Sequence, residues 1–260
     1  GVGREEALKE RGDKFNSRGV WFQGAYPIRS GWEGRVEAEL AARQMGAHRL
    51  MMAGVRFLAP DQCCIGPRVQ VGAGTVVLPG TILRGETVIG RNCEIGPNTM
   101  IRDCTVGDNV TVNASQLNES TVDDGVKIGP FAYIRPNCHV GENVKVGDFV
   151  ELKNSTIGAG TKTSHLTYVG DSDVGERVNF GCGTVTVNYD GFTKFRTTIG
   201  DDAFIGCNTN LVAPVKVGDG AYTAAGSTIT DDVPGDSLAI ARTRQTVKKQ
   251  WAAKRRARRK

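Results

Sequence analysis

Residues 122–152 read VDDGVKIGPFAYIRPNCHVGENVKVGDFVEL, with an aliphatic residue at every sixth position: Val122, Ile128, Ile134, Val140, Val146 and Leu152. A six-residue period matches neither the 3.6-residue repeat of a helix nor the two-residue alternation of a hairpin. It fits a solenoid in which three short strands make one triangular coil of about eighteen residues. The inward aliphatics of successive coils then stack into one continuous core, and Gly, Asn or Asp takes the corners. The same beat occupies Ile65, Val71, Val77, Leu83, Ile89, Ile95 and Ile101, and returns at Ile199, Ile205, Leu211, Val217, Thr223 and Ile229. Three phased runs predict an all-β parallel β-helix.

Outward from these runs the chain divides into three parts: an N-terminal segment and linker helix over 1–55, the β-helix over 56–235, and a C-terminal arm with a basic tail over 236–260. Among 260 residues, 34 glycines and few aromatics suit a chain that turns every six residues. No apolar run reaches the length of a membrane span and no secretory signal opens the sequence, so a soluble, cytoplasmic protein is expected. Seven scattered cysteines without CxxC or zinc spacing are expected to be reduced, with Cys93, Cys104 and Cys138 as small fillers of the coils.

Eight basic and no acidic groups crowd residues 248–260; removing them from the net charge of +5 leaves −3 for residues 1–247. Basicity is therefore a property of the tail. That tail lacks interleaved aromatics beyond Trp251, so a solvated arm is expected and nucleic-acid binding is the minority reading. Residues 1–34, including the GAYP turn near Tyr26, carry no assignable chemistry. From Trp32 to about Met52 strong helix formers predict a helix with Val36, Leu40, Met45 and Met52 as its apolar stripe and Gly54 at its end. Such a helix would cover the open edge of the first coil. His48 on it reads as surface or packing.

The run 65–106 reads as scaffold. Around 107–121 the beat slips, which reads as a small loop or a corner insertion. After Leu152 it becomes irregular, and residues 187–198 (VNYDGFTKFRTT) break it outright, as a loop thrown out of the coil does. Reactive side chains gather in this part: Glu151, Lys153, His165, Tyr168, Asn179, Asn188, Tyr189, Asp190, Lys194 and Arg196. Alternation turns Glu151 and Lys153 to one outer face. By themselves they would make a surface ion pair worth less than ~1 kcal/mol. With His165 they also suit proton transfer: an imidazole can take a proton at neutral pH, and a carboxylate such as Glu151 can fix its tautomer. Arg135, Lys153 and Lys194 are cations suited to a phosphate-bearing substrate. His139 reads as an outward coil residue, and the three histidines show no metal-ligand pairing.

The segments GPFAYIRP (129–136), GDFVELKNSTIG (147–158), TSHLTYVGD (163–171), VNFGCGTVTVNYDG (178–191) and LVAPVKVGDGAYTAAGSTIT (211–230) are more specific than the hexads. They resemble the acetyltransferase half of the bacterial bifunctional N-acetylglucosamine-1-phosphate uridyltransferase / glucosamine-1-phosphate acetyltransferases, over roughly residues 50–247. No nucleotidyltransferase domain fits before the coils, so only the second half is matched. The resemblance implies a homotrimer of left-handed β-helices with sites between subunits. It implies acetyl transfer from acetyl-CoA to the amine of glucosamine 1-phosphate, a step towards UDP-N-acetylglucosamine and cell-wall precursors, without a metal.

Carried over by position, His165 matches the general base, Glu151 its supporting carboxylate, and Arg135, Lys153, Tyr168, Asn179 and Lys194 the sugar-phosphate contacts. Asn188 and Tyr189 match contacts at the thioester end of the coenzyme. Cys182, Cys207, Ala225 and Arg242 match further coenzyme contacts, the two cysteines standing where the family often has Ala and Ser. The oxyanion would be held by a backbone N–H or the Asn188 amide, and direct transfer requires no cysteine nucleophile. Another hexapeptide acyltransferase with a different amine acceptor, and a non-catalytic trimeric scaffold, are the competing readings.

Overall fold

A computed structural model describes residues 13–15, 21–23 and 32–258, so the GAYP turn lies outside the described residues. Asp13–Phe15 and Trp21–Gln23 pair antiparallel, with Phe15 opposite Trp21. From Arg56 onward the chain winds into a left-handed parallel β-helix of about ten coils. Its strands form three parallel sheets of eleven, ten and nine strands, called here the first, second and third faces in the order the chain visits them.

The six-residue beat is the interior of this prism. Every residue of the three runs is at most 8 % exposed, and Ile134, Val140, Val146 and Leu152 are fully buried. In strands of two to four residues alternation leaves one or two side chains outward, so Lys127, Tyr133 and His139 face out beside Ile128, Ile134 and Val140. Corners need a residue with positive φ. Between the third and first faces that residue is Gly74, Asn92, Asn109, Gly125, Asn143 and Gly160 in successive coils, at φ from 54° to 80°. Gly and Asn tolerate this region best. Corner hydroxyls join neighbouring coils: Ser155 Oγ donates to Lys153 O at 2.8 Å and accepts from Ser172 N at 3.0 Å. Cys93, Cys104 and Cys138 are buried as expected, and burial pushes the Cys104 thiol up to about 11.

Helix α1, Trp32–Met52, covers the first coil, but not through the expected stripe. Leu40, Met45 and Met52 are exposed, whereas Gly46, Ala47 and Leu50 are buried. The Val36 side chain lies outside the described ones; among those described, docking runs through the last turns, where a Cβ on Gly46 would come within 2.9 Å of Ile65 O. There Arg49 Nη2 also donates to Val69 O at 2.7 Å. The turn ends at Gly54, φ +91°. His48 is exposed.

The slip at 107–121 is a shortening and not an insertion. Ile82 pairs with Met100, eighteen residues on, but Met100 pairs with Gln116, only sixteen on. Corners 103–104 and 113–115 each have one residue fewer than 85–87 and 96–99 in the coil before. At the other end the coil continues past Pro234 and Gly235, because Leu238–Ala239 pairs with Tyr222–Thr223. The basic tail contains a short exposed helix, α2, Trp251–Ala257, with the Arg255 guanidinium 5.6 Å from the Trp251 ring. No helix of the described residues is long and apolar enough to cross a membrane.

Candidate active site

The loop predicted at 187–198 is the largest departure from the coil. Val185–Val187 precedes it and Thr197–Ile199 follows, so Ser172 pairs with Thr197, twenty-five residues on. The excursion is a hairpin closed by a Tyr189–Lys194 bridge. Asp190 Oδ1 accepts the backbone N–H of Phe192 at 2.8 Å and of Thr193 at 2.7 Å, which holds the tip. Arg196 fastens the base, its Nε donating to Asp173 Oδ2 at 2.9 Å and its Nη1 to Asn154 O at 3.2 Å. This pairing keeps the Asp173 carboxyl below the usual carboxylate range.

At that base, on the corner between the second and third faces, sits Asp171. Its backbone is left-handed (φ 49°) and it is 4 % exposed. Lys153 Nζ donates to Oδ2 at 2.9 Å, Asn154 Nδ2 donates to Oδ1 at 2.6 Å, and Asn188 Nδ2 donates to Oδ2. Burial by itself would raise the Asp171 pKa; the donors from Asn154, Lys153 and Asn188 outweigh it and hold the carboxyl below its ordinary value. Burial likewise opposes the charge on Lys153, yet Asp171 carries that ammonium's pKa above its usual value. Asn188 Nδ2 also lies 3.3 Å from the Tyr168 hydroxyl. A carboxylate accepts only, so the Asn188 NH₂ must face Asp171, and its Oδ1 points elsewhere.

On the second face Tyr133, Glu151 and Tyr168 stack in register on three coils. Glu151 Oε1 accepts from Arg135 Nη1 at 2.9 Å, and that bond raises the Arg135 pKa. Glu151 was expected to fix the His165 tautomer; within one chain it holds Arg135 instead. His165 ends the strand Lys162–His165, directly in register with Asp148 one coil below. Its Nδ1 is 2.6 Å from Asp148 Oδ1. The contact pulls the Asp148 carboxyl below its ordinary value; a carboxylate only accepts, so in the neutral imidazole Nδ1–H is the donor to Asp148 and Nε2 the acceptor.

The sequence-predicted residues thus fall into groups. Lys153, Tyr168 and Asn188 gather around Asp171, with Arg135 and Glu151 along the same face. Asn179 lies on the first face, in register with Lys162, and does not join them. Lys194 and Tyr189 are exposed on the hairpin, Tyr189 OH donating to Gly191 O at 2.6 Å. Cys182, Cys207 and Ala225 occupy the same position on successive coils at the corner between the first and second faces. Asn208 N donates to Cys182 O and Gly226 N to Cys207 O, both at 2.8 Å. Arg242 stands one position beside the column, over Gly226, where a Cβ would lie 3.8 Å from its Cδ. His139 faces outward and bonds Asp123, 2.8 Å away.

Asp148, Asp171 and Asn154 escaped the sequence reading. Their signal is spacing: each lies seventeen residues, one coil, from a partner, as His165, Asn188 and Asp171 respectively.

Two family models match parts of the chain. A family model described as the LbH domain of EIF2B subunit epsilon matches residues 54–152, and one described as bacterial transferase hexapeptide (six repeats) matches residues 196–231. The bifunctional protein GlmU of Clostridium kluyveri is 49 % identical over 249 residues, 96 % of this chain and 54 % of that protein. GlmU of an Exiguobacterium species is 52 % identical over 212 residues, 82 % of this chain and 47 % of that one. The chain spans about half the length of the curated relatives it matches. A solved UDP-N-acetylglucosamine acyltransferase from Arabidopsis superposes with a TM-score of 0.49 at 14 % identity, over 73 % of this chain and 68 % of that one.

Proposed function

The chain matches the C-terminal half of bifunctional GlmU proteins at 49–52 % identity, and on that premise we propose that it transfers acetyl from acetyl-CoA to the amine of glucosamine 1-phosphate. The products are N-acetylglucosamine 1-phosphate and CoA. One observation carries the reading: the hairpin base brings Lys153 and Asn188 onto the buried Asp171, with Tyr168 beside Asn188, while His165, one strand away, bonds Asp148 through Nδ1 and leaves Nε2 outside that bond.

The chemistry follows from those atoms. An ammonium cannot attack a thioester, so the acceptor amine must lose a proton as the C–N bond forms. His165 Nε2 takes it, and Asp148, accepting from Nδ1–H, steadies the imidazolium that results. The tetrahedral species then collapses, the C–S bond breaks, and the proton passes to the departing CoA thiolate. Asn188, its NH₂ committed to Asp171, offers Oδ1 to the amine N–H. The oxyanion is left to a backbone N–H, a donor worth roughly 3–4 kcal/mol in such sites. Arg135, Lys153, Tyr168, Asn179 and Lys194 hold the sugar phosphate, with Glu151 fixing the Arg135 guanidinium. Tyr189 meets the thioester end of the donor, which runs along the corner column of Cys182, Cys207 and Ala225 towards Arg242.

Asn179 and the Asp171 cluster belong to different faces of one prism. A second copy packing its first face against this second face would unite them, which is the reason to propose a trimer with sites between chains. Thiol release from acetyl-CoA tests the function. It is expected to require glucosamine 1-phosphate and to fall about 10²–10⁴-fold in His165→Ala, the usual share of a general base. Amine-independent release, or an unchanged rate in the folded variant, would overturn the assignment.

A further inference from the structure

Five of the seven cysteines lie away from the corner column. Cys63, Cys93, Cys104 and Cys138 are buried, and burial raises all four thiols. Cys104 and Cys138 share a corner position, but the coil of Ser120 separates them. Cys64 is a direct neighbour of Cys63 in the chain. Cys182 and Cys207 differ in both respects: Cys182 is half-buried, Cys207 is exposed, and they occupy the same turn on adjacent coils.

The register is set by Asn179 opposite Phe204 and Phe180 opposite Ile205. It is carried round the corner by the bond from Asn208 N to Cys182 O. Both turns have one shape, Gly181-Cys182-Gly183 and Gly206-Cys207-Asn208, with positive φ at Gly183 (76°) and Asn208 (54°). Stacked strands are spaced about 4.8 Å apart. That falls within the ~4.4–6.8 Å between Cα atoms that a disulfide spans. The hairpin hides the pairing in the sequence, because it puts twenty-five residues where a coil has about eighteen.

We propose that Cys182 and Cys207 form a reversible dithiol–disulfide couple, oxidised by a peroxide, at the corner column. One thiolate attacks the peroxide O–O bond, becomes a sulfenic acid and releases hydroxide. The second thiolate attacks that sulfur, the S–O bond breaks and hydroxide leaves; the two protons given up by the thiols turn both hydroxides into water. Two thiols and one peroxide thus give one disulfide and two waters. Side chains in register point the same way and do not converge, so the corner must close by a fraction of an ångström for the bond to form. A link made under that constraint is readily reduced, as regulatory disulfides are. Joining the two sulfurs also reshapes the surface along which the acyl donor is placed. That consequence rests on the acetyl-transfer reading; the thiol chemistry does not.

Full-length protein treated with hydrogen peroxide, alkylated and digested tests the couple. The free-thiol count should fall from seven to five, with one cross-linked peptide joining residues 182 and 207, and dithiothreitol should restore all seven. Oxidised protein should lose thiol-releasing activity and regain it with the reductant. In Cys207→Ser, a nearly isosteric change, the cross-link and the reversible part of the loss should both vanish, whatever its basal rate. Separate oxidation of each thiol with no cross-link, or an equal reversible loss in Cys207→Ser, overturns the proposal. A cross-link in protein that transfers no acetyl in either state upholds the couple and overturns its catalytic consequence. Full activity of the reduced protein with no cross-link overturns the couple and leaves the acetyl-transfer reading standing.

Discussion

Arg102–Glu119 and Lys153–Asp171 are the same contact built at two levels of one corner. In each, a cation ends a strand of the second face and meets a carboxylate one coil on, at the residue that turns the corner with positive φ (46° at Glu119, 49° at Asp171). The distances are 2.6 and 2.9 Å. Their surroundings differ. The side chains of the first pair are 47 % and 49 % exposed, and those of the second 17 % and 6 %. The hairpin accounts for this. It leaves the coil just above Asp171, lays Asn188 on the carboxylate, and ties itself down through Arg196. An ordinary surface ion pair becomes a buried anion with three donors.

The largest expected effect is therefore at Asp171. Asp171→Ala removes the acceptor shared by Lys153, Asn154 and Asn188 and leaves them partly buried without it. Breaking such a group costs about 3 kcal/mol or more, to be read from urea denaturation, and acetyl transfer should fall with it because Asn188 loses its orientation. A loss below ~1 kcal/mol with full activity would show that the two corners are equivalent after all.

At the other extreme stands Glu119→Ala, which should change stability by no more than about 0.5 kcal/mol and leave thiol release untouched, since solvent screens the pair. A large loss there would mean that the upstream coils are more than scaffold.

The interior of the solenoid was legible because stacking demands it: an inward residue every sixth position must be small or aliphatic, and Ile134 or Leu152 announces itself. The hairpin was legible as a break in that beat. Phase alone does not separate a missing residue from an added one, so the shortened corners at 103–104 and 113–115 read as insertion. The stripe on α1 failed for a different reason. Periodicity assumes that a helix docks along its length, whereas α1 docks through Gly46, Ala47 and Leu50 near its end. Asp148 and Asp171 were missed because their partners lie a coil away, and neither carboxylate stands out from the polar residues around it. Scanning for donors and acceptors seventeen or eighteen residues apart would have found both.

Asn179 on the first face and Lys153 at the far corner of the second cannot meet within one prism, and the proposed site needs both. Mixing Asn179→Ala and Lys153→Ala proteins, after partial denaturation and joint refolding so that chains exchange, tests this most directly. Each variant by itself should be nearly inactive. The mixture should recover thiol release, because some interfaces then pair an intact first face with an intact second face. A mixture that forms mixed oligomers yet remains as inactive as its components would contradict a site shared between chains.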